Sequence, residues 1–188
     1  MTLEIVQTGD PVLRKVARQM SVDEIRSDAV RLLIEQMRDT MREAPGVGLA
    51  APQIGESIQL AVIEDRIDYL KDVSSEELAA RQRAPVDFHV IINPKLHLVG
   101  ESTVDFFEGC LSVEGFGAVV SRAAKVRVEC LNERAEPITI TAQGWYARIL
   151  QHEIDHLNGT LYIDRMLTRT FTTVENVDRL WKNEADVE

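Results

Sequence analysis

Hydrophobic side chains recur at helical spacing in two stretches of the chain. The first stretch begins at Ser21, which forms with Glu24 the S-x-x-E pattern of a capping box, and it ends at Pro45–Gly46. Spacings of three and four residues predict one continuous helix here. The residues expected on its inward face are Ile25, Ala29, Leu32, Leu33, Gln36, Met37 and Met41.

The second helical stretch runs from about Gly144 to Leu157, and the following Asn158–Gly159 is typical of a helix end. It carries two stripes of side chains at helical spacing. The first stripe consists of Ala147, Leu150, Ile154 and Leu157, and the second consists of Trp145, Ile149, His152 and His156. We expect one stripe to face the core, whereas the other ends in two imidazole rings.

Alternating apolar and polar residues predict a set of short strands. They cover residues 60–64, 88–93, 95–99, 103–107, 125–131 and 137–141. A glycine-rich turn is expected over Gly46–Gly55. The elements together favour an α+β fold, with the second long helix packed against antiparallel strands.

Two further segments are expected to lie outside this core. Residues 65–85 are charged and predict a solvated excursion, in which Ser74 and Glu77 mark the start of a short helix. The tail, about 172–188, predicts a short helix that frays. Because no linker or repeat separates these segments from the rest, we expect a single domain over residues 1–188.

Composition and charge narrow the possible function. The chain has 188 residues, 45% of them hydrophobic, and a formal net charge of −10, which argues against direct nucleic-acid binding. No apolar run is long enough to predict a membrane span, and the first residues lack the apolar region of a signal peptide. Two cysteines do not make a disulfide framework. We therefore expect a reducing, cytosol-like compartment.

Two of the four histidines lie in the segment QHEIDHLNG, residues Gln151–Gly159. His152 and His156 are separated by one helical turn, so their rings project from one face and can share a metal ion. Glu153 is offset by one residue and can approach a water on the metal without being a ligand. The alternative is a helix with two solvated histidines and ordinary surface acids.

A third ligand is needed, because catalytic metal sites usually have three protein ligands and an open position. Cys110, in the segment FFEGCLS, is the candidate, since a thiolate beside two imidazoles suits iron, zinc, cobalt or nickel. A lone cysteine is more often a small buried residue. Cys130, inside the strand-like VRVECL, fits that alternative well, whereas Cys110 follows a glycine and precedes a glycine-rich segment.

Three motifs occur in the order GVGLAAPQIG, EGCLS and QHEIDH. Together they resemble the motifs of the peptide deformylases, and the resemblance extends from GDPVLR at Gly9–Arg14 to the RTFTTVENVD segment at Arg169–Asp178. The charged excursion, the segment GWYARILQHE and the RTF tail are more similar to the organellar-like branch of that family. A mature organellar form is therefore expected as the alternative to a bacterial cytoplasmic protein.

The resemblance implies a metal centre and the residues around it. Cys110, His152 and His156 are the implied ligands of one ferrous ion (Fe²⁺), for which Zn²⁺, Ni²⁺ or Co²⁺ can substitute, and Glu153 is the implied general acid and base.

The side-chain amide of Gln53 and the backbone N–H of Leu111 resemble the family's pair of donors to an oxyanion. For Gln53, an amide that caps the backbone of a turn is the alternative.

The remaining implied contacts concern the substrate. Gly46 and Gly48 suit the close approach of a peptide backbone, which would pair with Val47 and with residues 114–116. An ordinary tight turn after a helix is the alternative. Trp145, Ile149 and Val47 are candidates for an apolar pocket that accepts the methionine side chain, although Trp145 could also be core.

Two positions depart from the family's usual pattern. Glu114 stands where many members have a proline, and Gly117 stands where many have an arginine that contacts the substrate backbone. These departures concern substrate entry and leave the metal ligands unchanged.

The function implied is a metal-dependent hydrolase that removes the N-formyl group from the N-terminal methionine of nascent polypeptides and releases formate. Its partners would be N-formyl-methionyl nascent peptides, with transient proximity to the ribosome. One rival is an H-E-x-x-H endopeptidase, which would need a third ligand after His156. Another is a purely structural metal site, which would need a fourth protein ligand.

Overall fold

The computed structural model describes residues 2–181, which form short helices around two antiparallel sheets. The helices are α1 (Val22–Ile25), α2 (Asp28–Glu43), α3 (Ser75–Ala80), α4 (Gly144–Leu157) and α5 (Val174–Asn176), followed by a π-helical turn (Val177–Trp181). The strands are β1 (Gly48–Ala50), β2 (Leu60–Asp65), β3 (Val86–Leu98), β4 (Thr103–Cys110), β5 (Val113–Ala123), β6 (Lys125–Leu131), β7 (Pro137–Gln143) and β8 (Thr172–Thr173). The predicted α+β class is confirmed.

The strands form a five-stranded sheet in the order β1-β2-β3-β6-β7 and a three-stranded sheet in the order β4-β5-β8. The strands of the first sheet pair antiparallel throughout, as do those of the second. The sequence enters the second sheet between β3 and β6, so the two sheets are interleaved along the chain. No helix within residues 2–181 is long and apolar enough to cross a membrane.

Both faces of the five-stranded sheet are buried. Along β2, Ala61 and Ile63 pack with α4, whereas Leu60 and Val62 pack with α2, as the two-residue period of a strand requires. The predicted inward stripe of α4 is buried in full. The helix that carries both histidines is therefore held rigidly against the sheet, which is the packing that the sequence predicts.

The prediction of one continuous helix after Ser21 is wrong, because the structure has two helices there, α1 and α2. Ser21 caps α1 with Glu24 in the predicted capping box, but Ser27 starts a new helix by accepting a hydrogen bond from the Val30 N–H at 3.3 Å. The restart changes which side chains face inward. Val30 and Ile34 are buried, whereas two residues predicted to be internal are exposed, namely Ala29 and Leu32.

Three other predictions require correction. The glycine-rich segment Gly46–Gly55 contains the buried strand β1 and a 3₁₀ turn, rather than a turn alone. Residues 88–93 and 95–99 were expected as two strands, but the structure has one continuous strand here, β3, which ends at Leu98. Its left-handed residue Asn93 (φ +51°) is held by two side-chain hydrogen bonds to the backbone of Met20. The sequence pattern did not predict β5, because its glycines interrupt the alternation.

The excursion over residues 65–85 contains the predicted short helix, α3, with Ser74 accepting from the Glu77 N–H. It is not simply solvated, however, since Asp65 is fully buried and forms two hydrogen bonds with Arg83. In the predicted tail helix, Thr172–Thr173 instead pair with β5 before α5 begins. The end of the predicted tail helix, where fraying is expected, lies outside the described residues.

Candidate active site

A tight hairpin places Cys110 at the edge of the three-stranded sheet. Strands β4 and β5 are joined through Leu111 and Ser112, and the Cα of Cys110 is paired with that of Val113. The Ser112 N–H donates to Cys110 Sγ at 3.4 Å. The turn therefore fixes the sulfur in position.

Helix α4 brings both predicted histidines to this sulfur. His156 Nε2 lies 3.3 Å from Cys110 Sγ and 3.3 Å from His152 Nε2. One ligand atom from each of the three residues lies within 4.8 Å of the others. With ordinary metal–sulfur and metal–nitrogen bond lengths, ligands in a tetrahedral site lie about 3.4–3.6 Å apart. The donor set and its spacing fit one metal ion.

Glu153 lies beside these ligands and is only 4% exposed. Its Oε2 has no hydrogen-bond partner within the described part of the chain, and burial raises the pKa of this carboxyl to about 7. The carboxyl packs against β1 at Gly48, where an added Cβ would lie 2.2 Å from Glu153 Oε1. Glycine at this position therefore makes room for the carboxyl, which can accept and release protons near neutral pH.

Gln53 is buried in the 3₁₀ turn after β1, and its amide has a defined orientation. Its Oε1 accepts a hydrogen bond from the Ala50 N–H at 2.9 Å. Its Nε2 is directed to the other side, 3.6 Å from Cys110 Sγ and 3.3 Å from Ser112 Oγ. The same side chain therefore caps the turn through its oxygen and presents a donor beside Cys110 through its nitrogen.

A buried ionic network lies behind the histidines, and the sequence pattern did not predict it. Glu108 of β4 accepts hydrogen bonds from Arg122 at 2.9 Å and from Arg148 at 2.7 Å. Its Oε2 also lies 3.0 Å from His152 Nδ1. Burial on its own would raise the pKa of Glu108, but the bonds from Arg122 and His152 hold it well below its usual range. The ionised carboxylate can thus hold the Nδ1–H of His152 and leave Nε2 free for a metal.

These elements enclose a cavity of about 880 Å³. The predicted site residues that line it are Gly46, Val47, Gly48, Gln53, Cys110, Leu111, Trp145, Ile149, His152 and Glu153. The other predicted ligand, His156, is 1% exposed and touches the cavity's cysteine as described above. The structure thus brings all of the predicted site residues together around one space.

Glu114 and Gly117, the two positions that depart from the family's usual pattern, lie in different surroundings. Glu114 lines it, and its backbone N–H donates to Gln7 Oε1 at 3.2 Å. Gln7 also donates to the Leu111 carbonyl at 2.9 Å, so this residue, which the sequence analysis missed, braces the hairpin turn. Gly117 is paired with Thr172 of β8, and an added Cβ would lie 3.2 Å from the carbonyl of Glu108.

Comparisons with known proteins show which family this chain is similar to. The family model for polypeptide deformylase matches residues 2–171. Chloroplastic peptide deformylase 1A of Solanum lycopersicum is 51% identical over 93% of this chain, and the chloroplastic/mitochondrial peptide deformylase 1A of Arabidopsis thaliana is 47% identical over 93%. This chain spans 63% and 65% of those two proteins.

A solved structure shows the same fold. The Met-Ala-Ser-bound class I type b peptide deformylase from Acinetobacter baumannii superimposes with a TM-score of 0.79 at 31% sequence identity. The match covers 88% of this chain and 99% of that one. With the family model matching most of its length, the chain belongs to the polypeptide deformylase family.

Proposed function

We propose that this chain hydrolyses the formyl amide at the N-terminal methionine of nascent polypeptides and releases formate. The observation that carries the proposal is that one sulfur and two imidazole nitrogens meet beside a single cavity, which Cys110, His152 and Glu153 line. Membership of the polypeptide deformylase family supports it. An open metal site with a nearby carboxyl and an amide donor is the arrangement that amide hydrolysis needs.

The metal would be held by Cys110, His152 and His156. We propose ferrous iron as the working ion, because the mixed sulfur and nitrogen donor set accepts iron as well as zinc, cobalt or nickel, and because the motifs resemble those of an iron enzyme. When bound, the ion supplies Lewis-acid polarisation of the formyl carbonyl and activation of water. The contact of Glu108 with Nδ1 of His152 keeps that ring in the orientation in which its Nε2 can bind the ion.

The protein's own groups then handle protons and charge. Glu153 takes the proton from the attacking water, and it returns a proton to the amine as the formyl group leaves. The Gln53 amide, whose oxygen is held by Ala50, donates from Nε2 to the developing oxyanion. We assign the second donor to the backbone N–H of Leu111, which is in the turn next to the ligand Cys110.

The substrate would enter along β1 and the β4–β5 turn. Gly46 and Gly48 allow its backbone to approach, since neither carries a Cβ at positions already close to Leu111 and Glu153. Val47, Trp145 and Ile149 line the same cavity and would contact the methionine side chain. A hydrophobic pocket of this kind favours a long apolar side chain over a short one by about 1–3 kcal/mol.

We further propose that the substrates reach the enzyme as they leave the ribosome, in the cytoplasm of a bacterium or inside an organelle. The organellar names of the two plant relatives support the second compartment.

The function is tested by measuring formate release from formyl-Met-Ala-Ser by protein loaded with a known metal. Release of formate together with free Met-Ala-Ser is the expected result. Cleavage between internal residues of a longer blocked peptide would instead support an endopeptidase. Metal binding at full occupancy without hydrolysis of either peptide would indicate a structural site.

A further inference from the structure

The charged excursion over residues 65–85 contacts the cavity through the ring of Trp145. The guanidinium carbon of Arg81 lies 4.7 Å from the centroid of that ring, and the guanidinium carbon of Arg83 lies 5.3 Å from it. Both distances are within the range of cation–π attraction. A surface segment thus touches the same tryptophan that lines the cavity.

These contacts belong to a longer series. Arg81 also lies over Phe106 of β4 at 5.2 Å, and Arg148 of α4 lies over the same ring at 5.3 Å. Cationic and aromatic side chains therefore alternate in the order Arg83, Trp145, Arg81, Phe106 and Arg148.

Buried carboxylates hold both ends of the series. Arg83 is bound to the fully buried Asp65 at 2.8 Å, and Arg148 is bound to Glu108 at 2.7 Å. The middle member, Arg81, is paired with the partly exposed Glu77 at 3.1 Å. Arg81 is thus the cation whose main neighbours are the two rings.

The backbone of the excursion fits closely against the start of α4. The Trp145 N–H donates to the Arg81 carbonyl at 2.8 Å. Gly144 has a φ of +60°, and an added Cβ there would lie 2.8 Å from the Arg81 carbonyl and 2.5 Å from the Cβ of Gln82. This closeness fixes Arg81 relative to the tryptophan backbone.

The ring of Trp145 has few other polar restraints. Its Nε1 is buried and has no hydrogen-bond partner in the part of the chain that the structure describes. A ring without a hydrogen bond is oriented by stacking and packing alone. Loss of Arg81, the nearer of the two cations to the ring, should therefore allow the ring to rotate or to become more exposed, even with Arg83 still in place.

We propose that Arg81 is a positioning residue that sets the selectivity of the cavity for the first side chain of the substrate. It fixes the ring of Trp145 as one wall of the methionine pocket. The proposal rests on the proposed function, since it concerns the pocket of that same site. It extends control of the pocket to a side chain in a surface excursion outside all three of the motifs in the sequence.

The test compares the kcat/KM values for formyl-Met-Ala-Ser and formyl-Ala-Ala-Ser. Arg81→Met should lower the ratio of the two values about three- to tenfold, with the value for the alanine peptide almost unchanged. Arg81→Lys, which keeps the charge without the planar face, should give an intermediate ratio. The matched control is Arg66→Met, because Arg66 lies over Tyr69 at 5.8 Å in the same excursion without contacting Trp145.

A double-mutant cycle separates positioning from general destabilisation. In a Trp145→Ala background, Arg81→Met should change the ratio no further, because the ring through which it acts is gone. An unchanged ratio in Arg81→Met or, if that variant does not fold, in Arg81→Lys would overturn the proposal. So would an equal fall in the ratio in the Trp145→Ala background.

A second readout does not depend on turnover. In a Trp181→Phe background, which leaves Trp145 as the single tryptophan of the two in the sequence, Arg81→Met should increase quenching of the fluorescence by acrylamide. Quenching equal to that of Arg66→Met would overturn the proposal. Failure of the unaltered protein to release formate, with the quenching difference present, would contradict the proposed function and leave the positioning of the ring supported.

Discussion

Glu108 is the residue on which the geometry of His152 depends most directly. Its two oxygens accept from two guanidinium groups and lie beside the imidazole, while the whole residue is 6% exposed. A buried carboxylate is costly unless its hydrogen-bonding capacity is used, and here each oxygen has two partners. The acid therefore remains ionised and directs the other nitrogen of His152 toward Cys110.

Sequence reasoning predicted the three candidate ligands, which the structure brings together, but it did not predict this carboxylate. His152, Glu153 and His156 lie within one helical turn, so their relation can be read from spacing alone. Glu108 meets its partners Arg122 and Arg148 across separations of 14 and 40 residues, which no local pattern encodes. The signal in the sequence that could have pointed to Glu108 is an acidic residue inside the otherwise apolar segment FFEGC.

Replacing Glu153 with Ala should abolish turnover and leave about one metal ion per chain. Among the described residues, the Oε2 of this carboxyl has no hydrogen-bond partner, so we expect its loss to remove proton transfer and to leave the proposed ligands in place. Formate assays and metal analysis of the same sample would check this. Loss of the metal together with activity would show instead that Glu153 is a ligand.

Replacing Gln53 with Ala should lower kcat by about 10²–10³-fold with a much smaller change in KM. The reason is that we expect the bond from its Nε2 to the reacting carbonyl to strengthen as the oxyanion develops, whereas its Oε1 is already held by the Ala50 N–H. Steady-state kinetics would check it, with a Gln53→Glu variant as the control that keeps the turn acceptor. A change confined to KM would limit the role of Gln53 to substrate binding.

At the scale of elements, the site depends on how closely β1 approaches α4. The strand has only three residues, all buried, and Gly48 is directly against the Glu153 carboxyl. The neighbouring Leu49 packs with the α2 side of the sheet. The short strand β1 thus lies between the α2 side and the α4 side of the sheet. It leaves the Glu153 carboxyl no room to move toward the sheet.

Replacing Gly48 with Ala should therefore lower activity about 100-fold, because it misplaces the Glu153 carboxyl, while leaving the fold intact. The new Cβ would displace a side chain rather than backbone, so we expect a loss of about 1–3 kcal/mol in the free energy of unfolding. Activity, thermal unfolding and metal content should be measured in parallel. Near-normal turnover would mean that Glu153 can move aside without losing its function.

The elements differed in how well they could be predicted, for identifiable reasons. Helix α4 was recovered with its ends because the apolar stripe, the Asn158–Gly159 end and the histidine spacing agree. The break between α1 and α2 was missed, since Ser27 lies within an unbroken apolar period. Strand β3 was divided at Pro94, although a long-range contact of Asn93 with Met20 allows it to continue.

At the scale of the molecule, the two cysteines lie in opposite environments. Cys110 is half-buried and lines the cavity, whereas Cys130 is 6% exposed in β6, and burial raises its pKa to about 11. A protonated, buried thiol reacts slowly with oxidants, but a thiolate on an open metal site does not. Chemical damage should therefore concentrate at the metal centre.

Iron-loaded protein should be the most active form and should lose activity in air, with loss of iron and oxidation of Cys110. The zinc or nickel form should be slower and should survive the same exposure, since these ions do not undergo the same oxidation. Mass spectrometry should find added oxygen on the peptide that contains Cys110 and little on that of Cys130. Equal rates for the iron and zinc forms, or equal decay, would contradict the ferrous assignment.

The proposed ligands of the metal centre come from different layers of the fold. Cys110 ends a strand of the three-stranded sheet, and both histidines belong to the helix that covers the five-stranded sheet. An ion at this position would add a crosslink to the Glu108–Arg148 ion pair, which already joins the three-stranded sheet to α4, so its binding energy would become part of the cohesion of the molecule. Treatment with a chelator should then accelerate amide hydrogen–deuterium exchange in the β4–β5 turn and the last turn of α4, with little change in α2. Uniform acceleration throughout the chain would mean that the two sheets open together as one unit.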